Sequence, residues 1–392
     1  MKISSRISAI NGDPDADDGW SVYYRAQAMV AAGEDVTMLC IGEHDRRTAP
    51  FILDAMDDSA RAGNTGYASA RGQIGLREAV AERASRTTGV ATTPDEVIVT
   101  TGGQAALFAA MSAATDPGDA AVIVDPYYAT YPATVCGPGA RLRTVKARPD
   151  RGFQLDRDDL VAATKGARAL LVNTPHNPTG AVYDDASLAA IREACLANDL
   201  WLVSDEVYES QVHEGAHVSP RSLPDMAERT FVVGSMSKTH VMTGFRLGWV
   251  IGPAAAIEAL VGLANATTYG VPGFIQDAAT VALRDGAAEA EEVSALYRRR
   301  RDRALAALEG SNVVSVSPPQ GAMYVMVDVR ATGLSGAEFA ARLLEEEKIA
   351  VMPGESFGEA AAGHLRVALT IEDEAMVEAL GRLAAAAERL AA

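Results

Sequence analysis

Two groups of residues in this chain have the types and spacing to do chemistry. The first, His213-Glu214-Gly215-Ala216-His217, matches the H-E-x-x-H pattern letter for letter; there, two imidazoles one helical turn apart hold zinc while the glutamate acts as general base. That chemistry needs both imidazoles on one helical face, whereas Gly215 and the following Val218-Ser219-Pro220 disfavour a helix and no third ligand is evident. The match therefore reads as accidental, the segment as a polar surface loop, and no metal is expected. The second group is an ordered set: Asn173-Thr174-Pro175-His176-Asn177-Pro178-Thr179-Gly180, then Asp205-Glu206-Val207-Tyr208, then Ser235-Met236-Ser237-Lys238, with Arg246 eight residues beyond the lysine. Alone, each piece reads as a turn, a helix cap or a surface segment. Together they follow three apolar runs, at the strand ends where open α/β sheets bind their ligands. Lys238 stands out further because only five of the 35 basic residues are lysines.

The elements that must position these residues are legible as β-branched runs alternating with alanine-rich helical stretches, the pattern of βα units in a mostly parallel sheet. Strands are expected at 97–100, 121–124, 169–172, 201–204, 231–233 and 248–251, with helices at 104–114 and 186–197 among the connections. After residue 276 the texture changes to a long charged helix over 288–308, carrying the basic run 298–301. A smaller α+β unit follows, with strands at 313–316, 323–329, 350–352 and 365–369 and a closing helix from about residue 373. The stretch before Ile41 shows no βα pattern and is expected to pack on this second unit or on a partner subunit. The expected division is an N-terminal arm and part of the small domain over 1–40, a large domain over 41–285 and the rest of the small domain over 286–392. There is no internal repeat and no disordered linker.

Composition bounds the function. The 392 residues carry 52 acidic against 35 basic side chains, a net charge of −17, with 48% hydrophobic and 22% charged residues. That is an ordinary globular balance, with chain enough for roughly two or three domain-sized cores. The acidic excess repels phosphate backbones and anionic lipid, so neither nucleic acid nor a membrane surface is an expected partner, and a small molecule is. No apolar run approaches the about 18 residues that span a bilayer, and the polar start over 1–18 does not read as an export signal. Cys40, Cys136 and Cys195 are odd in number and far apart, which suits reduced thiols in a cytoplasm.

The ordered set resembles the class I/II aminotransferases of pyridoxal-phosphate fold type I, over residues 5–390. The resemblance implies an α/β fold with a mostly parallel seven-stranded sheet in the large domain, and pyridoxal 5'-phosphate as cofactor. It makes Lys238 the residue that forms the cofactor's Schiff base and then carries the proton. Asp205 would keep the ring nitrogen protonated and deepen the ring's capacity to accept electrons. Asn177 and Tyr208 match the residues that hydrogen-bond the ring's phenolic oxygen. In Thr101-Gly102-Gly103-Gln104 a glycine turn opens a helix, and Gly103 and Gln104 are expected to touch the phosphate. Ser235, Ser237 and Arg246 match the remaining phosphate ligands, and Tyr128 the aromatic ring stacked on the cofactor. Tyr67 matches a tyrosine that reaches the phosphate of the neighbouring subunit, which implies a homodimer with shared active sites; the plainer alternative is a buried core tyrosine. Arg366 matches the fork that takes the substrate's α-carboxylate, and Gly42 a backbone contact to the same group.

The activity so implied is ping-pong transfer of an amino group between an L-amino acid and a 2-oxo acid. A common family stretch, Gly-Glu-Pro-Asp-Phe-x-Thr-Pro, reads here Gly42-Glu43-His44-Asp45-Arg46-Arg47-Thr48-Ala49-Pro50, which puts the rigidity of that turn in question. Gln104 stands where one dicarboxylate-using branch has lysine, and Trp20 replaces a small aliphatic residue that contacts the substrate side chain. Tyr269 opens a segment, 269–277, that approaches from the other subunit. That segment, the Ser237-Lys238-Thr239-His240 neighbourhood and Thr332-Gly333-Leu334-Ser335 look most like the arginine:pyruvate transaminase branch, implying a basic or broad-range donor and pyruvate as acceptor. The same cofactor-holding residues would also suit a β-eliminating C–S lyase or an oxidase. A regulator that binds the cofactor is disfavoured by the acidic charge and by the span of the resemblance.

Overall fold

The apolar runs assemble into a seven-stranded sheet: β1 (Val97–Thr100), β2 (Ala120–Asp125), β3 (Arg141–Lys146), β4 (Ala169–Asn173), β5 (Trp201–Asp205), β6 (Thr230–Ser235) and β7 (Gly248–Ile251), in spatial order β1-β7-β6-β5-β4-β2-β3. This computed structural model describes residues 3–10 and 20–391, so the 11–19 part of the N-terminal arm lies outside the described residues. Only β7 runs antiparallel to its neighbours; the rest are parallel, as the sequence pattern implies. Every residue of β2, β4 and β6 is buried, because crossover helices cover both faces of a parallel sheet. Strand β3 was not expected. It is an edge strand, and Arg141, Arg143 and Lys146 keep it exposed and leave no apolar run to read.

Among the helices, α1 spans Trp20–Ala31, α2 Gly103–Ala114, α3 Asp185–Ala197, α4 Ala287–Leu308 and α5 Asp373–Ala391. Helix α3 starts where the Asp184 side chain accepts from the Ser187 N–H at 2.7 Å. Along α4, Val293, Leu296, Tyr297, Arg300, Ala304 and Leu308 are buried at helical spacing. Of these, Val293, Tyr297, Ala304 and Leu308 pack into a core shared with α1, α5 and a second sheet.

That sheet has four strands, β8 (Ser315–Val316), β9 (Tyr324–Asp328), β10 (Met352–Pro353) and β11 (His364–Ala368), ordered β10-β11-β9-β8. The single strand expected at 350–352 is split. Ile349–Ala350 pairs in parallel with Thr37–Met38, while Met352 turns to pair with Arg366. The N-terminal stretch also divides: α1 joins the core of the small sheet, but the short helix Ser5–Ile10 contacts the helix Tyr131–Cys136 beside the large sheet. No helix among the described residues is long and apolar enough to cross a membrane.

Candidate active site

Register places the first polar groups. Asn173 ends β4 directly opposite Asp205, which ends β5 and pairs with Val233 on β6; two residues further along β6 stands Ser235. A cavity of about 320 Å³ opens above these strand ends. Of the residues expected in the site, it is lined by Trp20, Gly42, Gly103, Gln104, Tyr128, Asn177, Asp205, Tyr208, Ser235, Ser237, Lys238, Arg246 and Arg366. Tyr67 and Tyr269 are not brought to it.

Lys238 lies in a single helical turn, Met236–Thr239, that Ser235 caps by accepting the Ser237 N–H at 3.1 Å. Its ammonium donates to the Gly42 carbonyl oxygen. Burial pushes the amine below its ordinary pKa; Arg366 and Arg246 push the same way, against Tyr324 and Glu43. A buried amine held toward its neutral form is a better nucleophile and proton acceptor than an exposed lysine.

Asp205 is buried with no cation paired to it among the described residues. The Tyr131 hydroxyl donates to its Oδ2 at 2.7 Å and the Val207 N–H to its Oδ1 at 3.3 Å. Burial nevertheless pushes the carboxyl up to about 6, against the downward pull of the Tyr131 hydrogen bond. Asn173 braces this strand end, its amide donating to the Asp205 carbonyl at 2.9 Å and its Oδ1 accepting the Asn177 N–H at 2.7 Å. Tyr128 meets Tyr131 edge-on at 5.7 Å, and the Tyr208 hydroxyl lies 3.0 Å from that of Tyr324.

At one end the cavity is built for an anion. Gly102 has φ +85° and precedes α2 without any side-chain cap, so the first amides of the helix are free to face a ligand. A β-carbon on Gly102 would collide with the Arg246 guanidinium, which packs against this turn and donates to the Thr243 carbonyl at 2.8 Å. The Gln104 side chain is spoken for: it donates to Thr134 at 3.0 Å and accepts from Thr130 at 2.8 Å. What Gln104 offers the anion is its main chain.

At the other end Arg366 is sandwiched between the rings of Tyr324 and Phe357, 4.5 and 4.4 Å from their centroids. It donates to Asn177 Oδ1 at 3.0 Å and to the Cys40 carbonyl. Its Nε is buried without a partner. Gly42 packs on the Tyr324 hydroxyl so closely that a β-carbon there would collide with it. The proline missing from the Gly42–Pro50 stretch is compensated by side-chain tethers to α4. His44 Nδ1 lies 2.8 Å from the Tyr297 hydroxyl, and Arg300 grips both oxygens of Asp45 at 3.0 and 2.6 Å.

Tyr67 and Tyr269 form an edge-on pair, rings 5.3 Å apart, on the outer surface. Tyr67 is 93% exposed, so the reading of it as a core residue is wrong. The His213–His217 segment also corrects its expectation. It is not helical, and no group of three or more residues that could hold a metal occurs among the described residues. Yet it is not simply a surface loop. His213 Nε2 lies 2.9 Å from the Ala322 carbonyl, and His217 Nε2 lies 3.0 Å from buried Glu206, which also accepts from Ser204 and Ser219. Gly215 and Ala216 form its exposed tip. Cys40, Cys136 and Cys195 are all free thiols.

Sequence reasoning assigned no role to Tyr131, Asn173, Tyr324 or Phe357. Tyr131 and Asn173 lie inside or beside motifs that were singled out, and their polarity next to a strand end was the available signal. Tyr324 and Phe357 carried none.

With this geometry in view, the comparisons with known proteins agree. A family model described as Aminotransferase class I and II matches residues 34–383. Arginine–pyruvate transaminase AruH of Pseudomonas aeruginosa is 44% identical over 391 residues, covering 100% of this chain and 99% of that protein. Aspartate/prephenate aminotransferase of Thermus thermophilus is 36% identical, covering 93% of this chain and 94% of that one. The solved structure of Thermus thermophilus aspartate aminotransferase with maleate superposes with a TM-score of 0.92 at 35% identity, covering 98% of this chain and all of that chain.

Proposed function

The chain belongs to the class I and II aminotransferases, a pyridoxal-5'-phosphate-dependent family, and from that premise we propose the role of each residue in its site. The observation that carries the proposal is the convergence, in one cavity, of a half-buried lysine, a buried carboxylate without a paired cation, and an uncapped helix start beside an arginine. These fit the cofactor by chemistry. Asp205 lacks a positive partner that a protonated ring nitrogen would supply, and the Gly102 turn leaves room for an anion where a larger residue would meet Arg246. Lys238 would hold the cofactor covalently, Gly103, Gln104, Ser235, Ser237 and Arg246 its phosphate, Tyr128 its ring face, and Asn177 and Tyr208 its phenolic oxygen.

Bound pyridoxal phosphate supplies an electron-accepting ring that takes up the negative charge developing at the donor's α-carbon. The chain's residues do the rest. Arg366 orients the donor by forking its α-carboxylate, helped by the pull of the two aromatic rings that fix the guanidinium. Once the donor's amino group has displaced it, the freed Lys238 Nζ would take the proton from the α-carbon, its lowered pKa favouring the neutral form that can accept it. Asp205, ionised by its positive partner, keeps the ring nitrogen charged while Tyr131 holds the carboxylate in place. The Gly42 carbonyl gives the Lys238 ammonium an acceptor between proton transfers.

The two chain ends around the small sheet would form the small domain, over 1–40 and 286–392, and residues 41–285 the large one. A homodimer working in the cytoplasm is part of the proposal. The exposed Tyr67 and Tyr269 pair, on the surface rather than in the cavity, supports a surface that completes a second copy's site. For the donor we favour a basic amino acid, arginine foremost, with pyruvate as acceptor. The name of the Pseudomonas aeruginosa relative supports this, as does a cavity whose only cations among the described residues, Lys238, Arg246 and Arg366, are all committed to the cofactor or the α-carboxylate. The test is a half-reaction screen. Single amino acids are mixed with the holoenzyme, the change in cofactor absorbance is followed, and pyruvate is then added to reverse it. Arginine should drive the change and pyruvate the return; a faster response to aspartate or glutamate would overturn the choice of donor.

A further inference from the structure

Among the described residues two carboxylates line the active-site cavity, and only one has a task so far. Asp205 sits at the strand ends with Tyr131. The other is Glu43, which follows Gly42, the residue whose carbonyl accepts from Lys238 Nζ. Glu43 is therefore one residue from the reacting amine, near enough for its charge to bear on that amine. Its Oε1 accepts from the Thr243 hydroxyl at 3.2 Å, and it forms no ion pair among the described residues. The cations that line the cavity with it among the described residues, Lys238, Arg246 and Arg366, are taken by the roles given above, and Gln104 on the same lining is uncharged and bonded to two threonines.

We propose that Glu43 is a specificity-determining residue that receives the positive end of a basic donor's side chain, arginine or a close homologue. This rests on the donor reading given above. Glutamate at this place belongs to the family's pattern, so the selectivity lies in its surroundings. Its neighbours are pinned on both sides: Gly42 against Tyr324, His44 by Tyr297, Asp45 by Arg300. The main chain that carries the exposed Glu43 side chain is therefore fixed, which removes the backbone part of the ordering cost when a guanidinium binds. Among the described residues, one of its oxygens has only the Thr243 hydroxyl and the other has no hydrogen bond, so a two-pronged guanidinium contact is open to it. Trp20 lines the same cavity and gives the donor's methylene stem and planar head an aromatic wall. A donor with a second carboxylate would meet Glu43 as a like charge, with no uncommitted cation among the cavity's described residues to offset the repulsion.

The test compares the wild-type holoenzyme with Glu43→Gln, which keeps the size of the side chain and its bond to Thr243. Calorimetry measures binding of 5-guanidinopentanoate and of pentanoate, two carboxylates that lack the reactive amino group. Kinetics with pyruvate measures kcat/KM for arginine and for methionine. The proposal expects wild type to favour the guanidino compound and arginine, and expects both preference ratios to fall at least tenfold in Glu43→Gln, equivalent to about 1.4 kcal/mol. Glu43→Asp should recover part of the loss. A wild type that favours arginine together with a variant whose ratios stay within threefold of wild type would overturn the role of Glu43 alone. A wild type with no preference in either measurement would overturn the basic-donor reading and this inference with it.

Discussion

The floor and the roof of the cavity are built in different ways. The floor is a row of strand ends, Asn173, Asp205 and Ser235, set side by side by hydrogen-bond register within one sheet. The roof is a turn, Gly42 to Asp45, plus Arg366 on the small sheet, held by contacts that cross between distant parts of the chain. Arg300 on α4 alone ties Asp45, Asp373 and the Leu369 carbonyl together. A sheet ladder tolerates no one-residue slip, so the floor presents its groups in a fixed array suited to a constant cofactor. Individual side-chain tethers can be changed one at a time without disturbing that array, which makes the roof the place where donor preference can vary.

The sharpest break is on the floor. Lys238→Ala should lower turnover by about 10²–10⁴-fold from lost proton transfer alone, with the fold unchanged by circular dichroism; turnover within tenfold of wild type would remove the floor's central residue. On the roof, Arg366→Ala should weaken donor recognition by about 2–5 kcal/mol, read as a rise in KM larger than the fall in kcat, since it removes the cation that pairs with the donor's α-carboxylate. If kcat fell more than KM rose, floor and roof would not be separable in this way.

A finer test concerns Tyr131. Tyr131→Phe removes a hydrogen bond to a carboxylate, an effect of about 1.5–3 kcal/mol, and because that bond favours the ionised form its loss should raise Asp205 above its pKa of about 6 in the cofactor-free protein. Titration of the Asp205 carboxyl by NMR would show the shift, and an unchanged or lower value would contradict it.

The smallest effect tests the roof's tether. Burial, with Lys238 adding to it, pushes His44 down to about 3 from an ordinary 6.5, so the folded protein resists its protonation while the unfolded chain does not. Stability linked to His44 is complete above pH 6.5 and is lost as pH falls toward 3, by about 1.4 kcal/mol per pH unit through most of that window. Denaturant unfolding of His44→Gln at pH 6 and pH 5 should therefore give a pH slope shallower than wild type by about that amount. Equal slopes would mean that the imidazole does not bear on the roof.

The same contrast explains what the sequence made legible. Floor residues follow apolar runs in chain order, so Asn177, Asp205, Tyr208, Ser235, Lys238 and Arg246 could be located from pattern and resemblance before any coordinates. Tyr131 escaped because it starts a short helix after β2 and reaches an aspartate 74 residues further on, a pairing with no periodic trace. Tyr324 looks like any buried residue of β9, and its polar end matters only where Gly42 and Tyr208 meet it. Glu43 was visible as part of a turn motif, but its selection as the uncommitted carboxylate needed the cavity's lining. Strand β3 was hidden by its edge position. The burial of His213 and His217 was hidden too, since a short polar segment shows nothing of the Glu206 and Ala322 partners waiting in the fold.

The central claim, that the strand-end floor holds pyridoxal phosphate through Lys238, can be tested on the holoenzyme by borohydride reduction, proteolysis and mass spectrometry of the labelled peptide. A single phosphopyridoxyl-bearing peptide is expected, with the modification on Lys238. A label on Lys2, Lys146, Lys165 or Lys348 instead, or none after reduction of a cofactor-loaded protein, would contradict it.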